Sequence, residues 1–172
     1  MTLHPAFVID RLDSSVHVFQ GLLGAVTEQQ ASWKPSSEKW SLLEVINHLA
    51  DEEKEDFGTR LRLVLKNPDD DWPPINPVLW ATVRQYNNRN LLESLDRFVR
   101  TRRESVDWLR SLPQTDWRQT PARPVGKPRS AGDLLCSWLA HDLIHIRQMN
   151  RLHYEYLSKT TPEFSTEYAG TW

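Results

Sequence analysis

Cysteine is nearly absent from this chain: Cys136 is the one such residue in 172. An internal disulfide is therefore excluded, and the composition suits a reducing compartment. Net charge is equally scarce. Twenty-one Lys and Arg stand against 23 Asp and Glu, giving −2, so there is no basic footprint for nucleic acid or for an anionic lipid surface. Long apolar runs are missing too: the mean hydropathy is −0.59, and no membrane span is expected. The start, Met1-Thr2-Leu3-His4-Pro5, lacks a basic segment leading into an apolar one. Secretion is thus not expected, and a cytoplasmic location is. Neither a Gly-rich phosphate loop nor a Ser or Cys nucleophile arrangement is found. The expectation is one domain over residues 1–172, long enough to bury a sizeable core. Tryptophan, by contrast, is abundant, with eight copies. Such large surfaces must be buried or cover a pocket.

Apolar residues recur in steps of three and four along four stretches, the period of amphipathic helices. The first covers residues 5–26, with Pro5 in its first turn and Gly21 and Gly24 loosening its end. Residues 27–39 read as a connector. Ser41 followed by Glu44 forms a capping box behind Trp40 and starts a second helix, which reaches about residue 66 before Asn67-Pro68 stops it. A third helix spans about 90–112 and is ended by Pro113; its Arg97, Arg100, Arg102, Arg103 and Glu104 read as a solvated face. Ser130 with Asp133 caps the fourth helix, and the tail 153–172 shows no clear period. The fold class is all-α, a four-helix bundle.

Two links are long. Residues 68–87 contain Asp69-Asp70-Asp71-Trp72-Pro73-Pro74 and Pro77, and residues 114–129 contain Pro121, Pro124, Gly126 and Pro128. Extended at ~3.3 Å per residue the first link reaches roughly 66 Å, against ~39 Å for the helix before it. It can run the length of the bundle and let the third helix start from the same end as the second. That predicts an up-down-down-up order. Trp72 and Trp80 are placed to cover a pocket or to pack over a bundle seam.

Chemistry concentrates in Ala140-His141-Asp142-Leu143-Ile144-His145. His141 and His145 are four residues apart, so both imidazoles leave one helix face and can hold a single metal ion. A helical wheel puts them on a stripe with Leu134, Trp138, Gln148 and Leu152, where polar groups need a partner to offset desolvation. Cys136 points about 140° from His141 on that wheel and is set aside. In the second helix His48 lies near the apolar stripe, with Glu44, Asp51, Glu52 and Glu55 around it. Most of these read as a solvated acidic edge. Glu52, at i+4, is the one placed to orient the imidazole or reach a metal. His17 and His153 are given no role.

The segment Trp40-Ser41-Leu42-Leu43-Glu44-Val45-Ile46-Asn47-His48-Leu49-Ala50-Asp51, with His141-Asp142-Leu143-Ile144-His145, resembles the DinB/YfiT-like superfamily. Trp33-Lys34-Pro35 and Asp51-Glu52-Glu53 are similar to its pattern as well. The resemblance covers essentially the whole chain. It implies a four-helix bundle with a divalent metal held by His48, His141 and His145, and the sequence shows no departure at these positions.

Three imidazoles with open positions describe a catalytic rather than a closed site. Zinc is the default, with nickel, iron or manganese as alternatives. The resemblance implies a metal-dependent enzyme acting on a small molecule, either a hydrolase or a thiol-dependent S-transferase using a low-molecular-weight thiol, with a slight lean to the transferase. Glu52 is the candidate general base, and Gln148 a pocket residue. The competing expectation is a bundle without activity that serves as a binding or stress-associated module. A homodimer is expected because relatives often pair.

Overall fold

The computed structural model describes residues 4–112, 114–123 and 126–170. Described residues form helices and turns only: α1 (Pro5–Leu23), α2 (Glu28–Ser32), α3 (Leu42–Glu52), a π turn (Glu53–Phe57), α4 (Gly58–Lys66), α5 (Pro77–Val83), α6 (Leu91–Ser111) and α7 (Ala131–Thr160), with 3-10 turns at Tyr86–Asn88 and Glu167–Ala169. The helix starts follow capping chemistry. Thr27, Asn76, Asn90 and Ser130 each accept a hydrogen bond from a first-turn backbone N–H, which satisfies donors that have no intrahelical partner.

Side-chain pairs give the directions. Ser94, Arg97 and Arg102 of α6 meet Asn47, Asp51 and Glu53 in rising order, so α6 runs parallel to α3. Phe19 meets Phe98, with ring centroids 5.0 Å apart, and Asp10 meets Arg110, so α1 opposes α6. His48 meets His145, and Phe57 meets Trp138, so α7 opposes α3 and α4. The order is up-down-down-up. Between α4 and α6 the link returns along the bundle, and Arg84 and Tyr86 bind Asp51 before Asn87 donates to Ser32 O.

The core has two halves. Val16, Phe19, Leu43, Ile46, Phe98 and Met149 fill the end near the start of α3. Leu12, Leu61, Val106, Leu135 and Trp138 fill the other. Each such side chain contributes ~1.5–3 kcal/mol on leaving water.

Several expectations need correction. The first helix stops at Leu23, and the connector holds α2. The second helix is broken by the π turn, in which the i→i+5 pattern inserts an extra residue. The link 68–87 is not wholly irregular, because Pro77 at a first-turn position starts α5. The last helix continues to Thr160, eight residues into the supposed tail. Arg102 is not on a solvated face but 1% exposed. Nor is most of the acidic edge solvated: Glu44, Asp51 and Glu52 are buried, as is the neighbouring Glu53, while Glu55 is exposed and pairs with Arg84. Pro113, expected to stop the third helix, and Pro124 lie outside the described residues. His17 is exposed as read, and His153 Nδ1 lies 3.0 Å from Gln30 Nε2.

Candidate metal centre

Local sequence fixes the early side of the site. Ser41 Oγ accepts from Glu44 N at 3.0 Å and Glu44 Oε2 accepts from Ser41 N at 2.8 Å, while Lys34 binds Glu44 from the connector. This closed box sets where α3 begins and so where His48 points. Trp40, just before the cap, lies against His48 with ring centroids 4.8 Å apart.

From α7, His141 and His145 reach the same point. Nε2 of His141 is 3.3 Å from Nε2 of His48 and 3.1 Å from Nε2 of His145. One ligand atom from each of the three lies within 4.8 Å of those of the others. His48 and His145 are buried, and His141 is partly exposed. Burial drives His48 down to about 2, helped by the charges that His145 and His141 would carry. Burial and His145 lower His141 to about 4, and burial lowers His145 as well. All three are therefore neutral at pH 7, the form that offers a lone pair to a cation.

The donor set fits a divalent cation on further grounds. His145 Nδ1 is 2.8 Å from Gln148 Oε1. An amide oxygen only accepts, so the proton is on Nδ1 and Nε2 keeps its lone pair, the outer hydrogen bond usual for a ligating histidine. Three converging ring nitrogens share too few protons to satisfy one another, whereas one cation satisfies all of them. Glu52 is buried alongside: Oε1 is 3.7 Å from His48 Nδ1, and Oε2 is 3.7 Å from His141 Nε2. His48 Nδ1 itself is buried with no hydrogen-bond partner. Burial, then the charge of Asp56, raises Glu52 to about 8, with Arg60 opposing.

The residues singled out from sequence thus meet: His48, His141, His145, Glu52 and Gln148 share one site. Cys136 is exposed and apart from it. A neighbouring network was missed. Arg102 donates to Glu53 Oε1 at 2.7 Å, to Asp142 Oδ2 at 2.6 Å, to Ser15 Oγ at 2.7 Å and to Leu12 O at 3.0 Å. Glu53 Oε1 also accepts from Trp138 Nε1, and Asp142 Oδ2 from Ser15 Oγ, each at 2.7 Å. All four bundle helices enter through these contacts, on residues adjoining Glu52 and His141. The sequence did carry a signal. Arg102 stands four residues after Phe98 and four before Val106, and Asp142 continues the run Leu135, Trp138, Asp142, His145, Met149 at steps of three and four.

A four-helix bundle with three converging imidazoles, two of them buried, defines the class. Residues 11–149 match the family model of the DinB superfamily, and the chain belongs to that superfamily. Among solved structures it is similar to YfiT from Bacillus subtilis, described as a probable metal-dependent hydrolase with an unusual four-helix bundle topology. That match has a TM-score of 0.79 at 16% identity and covers 90% of each chain. No curated protein matches in sequence. No described helix is long and apolar enough to cross a membrane.

Proposed function

We propose that this protein is a metal-dependent enzyme acting on a small molecule, with His48, His141 and His145 holding a divalent cation, zinc by default. The observation that carries the reading is the meeting of three neutral imidazoles from opposite ends of the sequence, with a buried carboxylate 3.7 Å from two of them. A bound cation would supply Lewis acidity and lower the pKa of a nucleophile's proton. Glu52 holds the complementary role. Its Oε2, 3.7 Å from His141 Nε2, is placed to take a proton from the nucleophile and return it to the leaving group. Gln148 fixes the tautomer of His145, Trp40 shields His48 from water, and the partly exposed His141 marks the open side.

Hydrolysis uses these parts directly, and the description of YfiT as a probable hydrolase supports it. Transfer of a low-molecular-weight thiol would use the same residues with a thiol as the nucleophile. Thiol consumption during turnover separates the two.

Metal analysis of freshly purified protein tests the core of the reading. We expect one zinc per chain, lost in His48→Ala and in His141→Ala. A metal-free protein whose thermal stability ignores chelators and added zinc would instead indicate a binding module. Glu52→Gln should keep the metal and lose roughly 10²–10⁴-fold in turnover. Full activity in that variant removes Glu52 from the mechanism.

A further inference from the structure

One turn along the same helix seam from the three histidines, the π turn, α4, α7 and the links after α4 and before α7 line a half-open cavity of about 220 Å³. Its position ties it to the centre. Phe57, in its wall, lies 5.2 Å from the His141 ring, and Ser137, also in the wall, stands one helical turn before His141. Asp56, a third wall residue, stands four positions after Glu52 on the same helical run, and its charge helps to raise the Glu52 pKa.

The lining is apolar on its sides and rich in donors. Phe57, Leu134 and the face of Trp72 supply the hydrocarbon surface, and Arg60 and Arg129 supply two guanidinium groups. Arg60 stacks over Trp72 with its Cζ 4.8 Å from the ring. Arg60 and Asp56 are in ionic contact at 2.8 Å, so the carboxylate in the wall is matched by one of the two cations. Arg129 has no ion pair at that distance among the described residues; it donates to Lys127 O at 3.4 Å. Asp133, whose carboxylate feels Arg129, is bound to the backbone N–H and hydroxyl of Ser130.

Hydrogen-bonding capacity is also left over. Trp72 Nε1 is buried without a hydrogen-bond partner, while Arg60 Nε and Asp56 Oδ1 are taken up by their own ionic contact. A buried indole N–H with no acceptor is costly, typically by ~1–3 kcal/mol. The orphaned group is a donor, and an excess cation, Arg129, stands at the rim. A carboxylate on an apolar body matches this lining: its oxygens accept from the indole and a guanidinium, and its body lies between Phe57, Leu134 and Trp72.

We infer that this cavity is the subsite for the carboxylate end of a small apolar acid whose reacting end lies over the three-histidine centre. As part of an active site the inference rests on the metal-dependent reading above. Occupancy of the cavity does not, and the two are tested apart.

The first probe is phenylacetate, with phenylacetamide as the uncharged control, added to full-length ¹⁵N-labelled protein. The indole N–H signal of Trp72, identified by its loss in Trp72→Phe, should shift saturably with the acid and not with the amide. Arg129→Met should weaken that binding roughly tenfold, the value of one charge-assisted hydrogen bond. No saturable shift, an equal response to the amide, or unchanged affinity in Arg129→Met each overturns the subsite. The second probe is a series of ω-mercaptoacids and their amides, added to Co²⁺-loaded protein and read by the cobalt absorption bands. Acids should act at lower concentration than amides at one chain length, and lose that advantage in Arg129→Met. Equal action at every length overturns the link between cavity and centre. Absence of cobalt bands, with the phenylacetate response intact, overturns the metal reading and leaves the carboxylate site standing.

Discussion

Replacing Arg102 by methionine tests how the bundle holds its buried charges. The guanidinium is 1% exposed and is shared by Glu53 and Asp142, themselves 1% and 0% exposed. Methionine keeps most of the apolar stem but removes every donor. Glu53 Oε1 is then left with Trp138 Nε1, and Asp142 Oδ2 with Ser15 Oγ. Removing one partner of a buried ionic set costs about 3–5 kcal/mol, because the remaining charge is stranded away from water. That is a large share of the ~5–15 kcal/mol that holds a typical domain. Urea unfolding at pH 7 should show a lower midpoint at an unchanged slope. Glu53→Gln with Asp142→Asn in the same chain should recover part of the loss, since neutral amides are cheaper to bury. Stranded carboxylates bind protons more readily folded than unfolded, so the gap between variant and parent should shrink as pH falls from 7 to 5. A midpoint loss worth under ~1 kcal/mol, or a triple variant no more stable than Arg102→Met, would refute the account of this network.

Three further outcomes follow from the geometry. A Cβ on Gly58 would stand 2.2 Å from Glu53 O, so Gly58→Ala must unwind the π turn; we expect ~1–3 kcal/mol lower stability in thermal unfolding, whereas Gly21→Ala, with nothing within 4 Å, should be neutral or slightly stabilising. His141 is held at about 4 against an ordinary 6.5, so the unfolded chain binds more protons between those values. The metal-free protein's stability is thus fully present above pH 6.5 and lost as pH falls toward 4, by about 3 kcal/mol for this residue; a flat stability profile across that window would contradict its burial as a neutral group. Ser41→Ala removes the cap hydroxyl from the Glu44 backbone N–H and should lower the thermal midpoint by an amount worth ~1 kcal/mol, and an unchanged midpoint would show that Glu44 alone sets the helix start.

Much of this architecture was legible in the chain because period and caps act locally. Ser41–Glu44 and Ser130–Asp133 mark two helix starts, and the spacing of His141 and His145 declares a shared face. The link length correctly implied parallel neighbours. What could not be read had tertiary causes. A wheel drawn at a constant 100° per residue fails across the π turn, which rotates everything after Phe57 relative to His48. Acidic residues around His48 read as a wet edge because their partners, Arg84, Arg97 and Arg102, come from distant sequence. Those partners offset the burial of Asp51 and Glu53. On α7 the wheel placed His141 and Gln148 mid-stripe, whereas Asp142 and Met149 take the centre, because Arg102 draws Asp142 inward.

The parallel run of α3 and α6 has a temporal meaning. Neighbours that point the same way cannot form as a hairpin, and His48 waits 93 positions for His141. During synthesis the first three quarters of the polypeptide therefore emerge carrying one of the three clustered imidazoles and a set of acids whose last support, α7, is still being made. The nascent protein has no tight place for an ion until its final long helix has docked. A cation held by the three imidazoles would bind only the finished protein and so would stabilise that state over every earlier one.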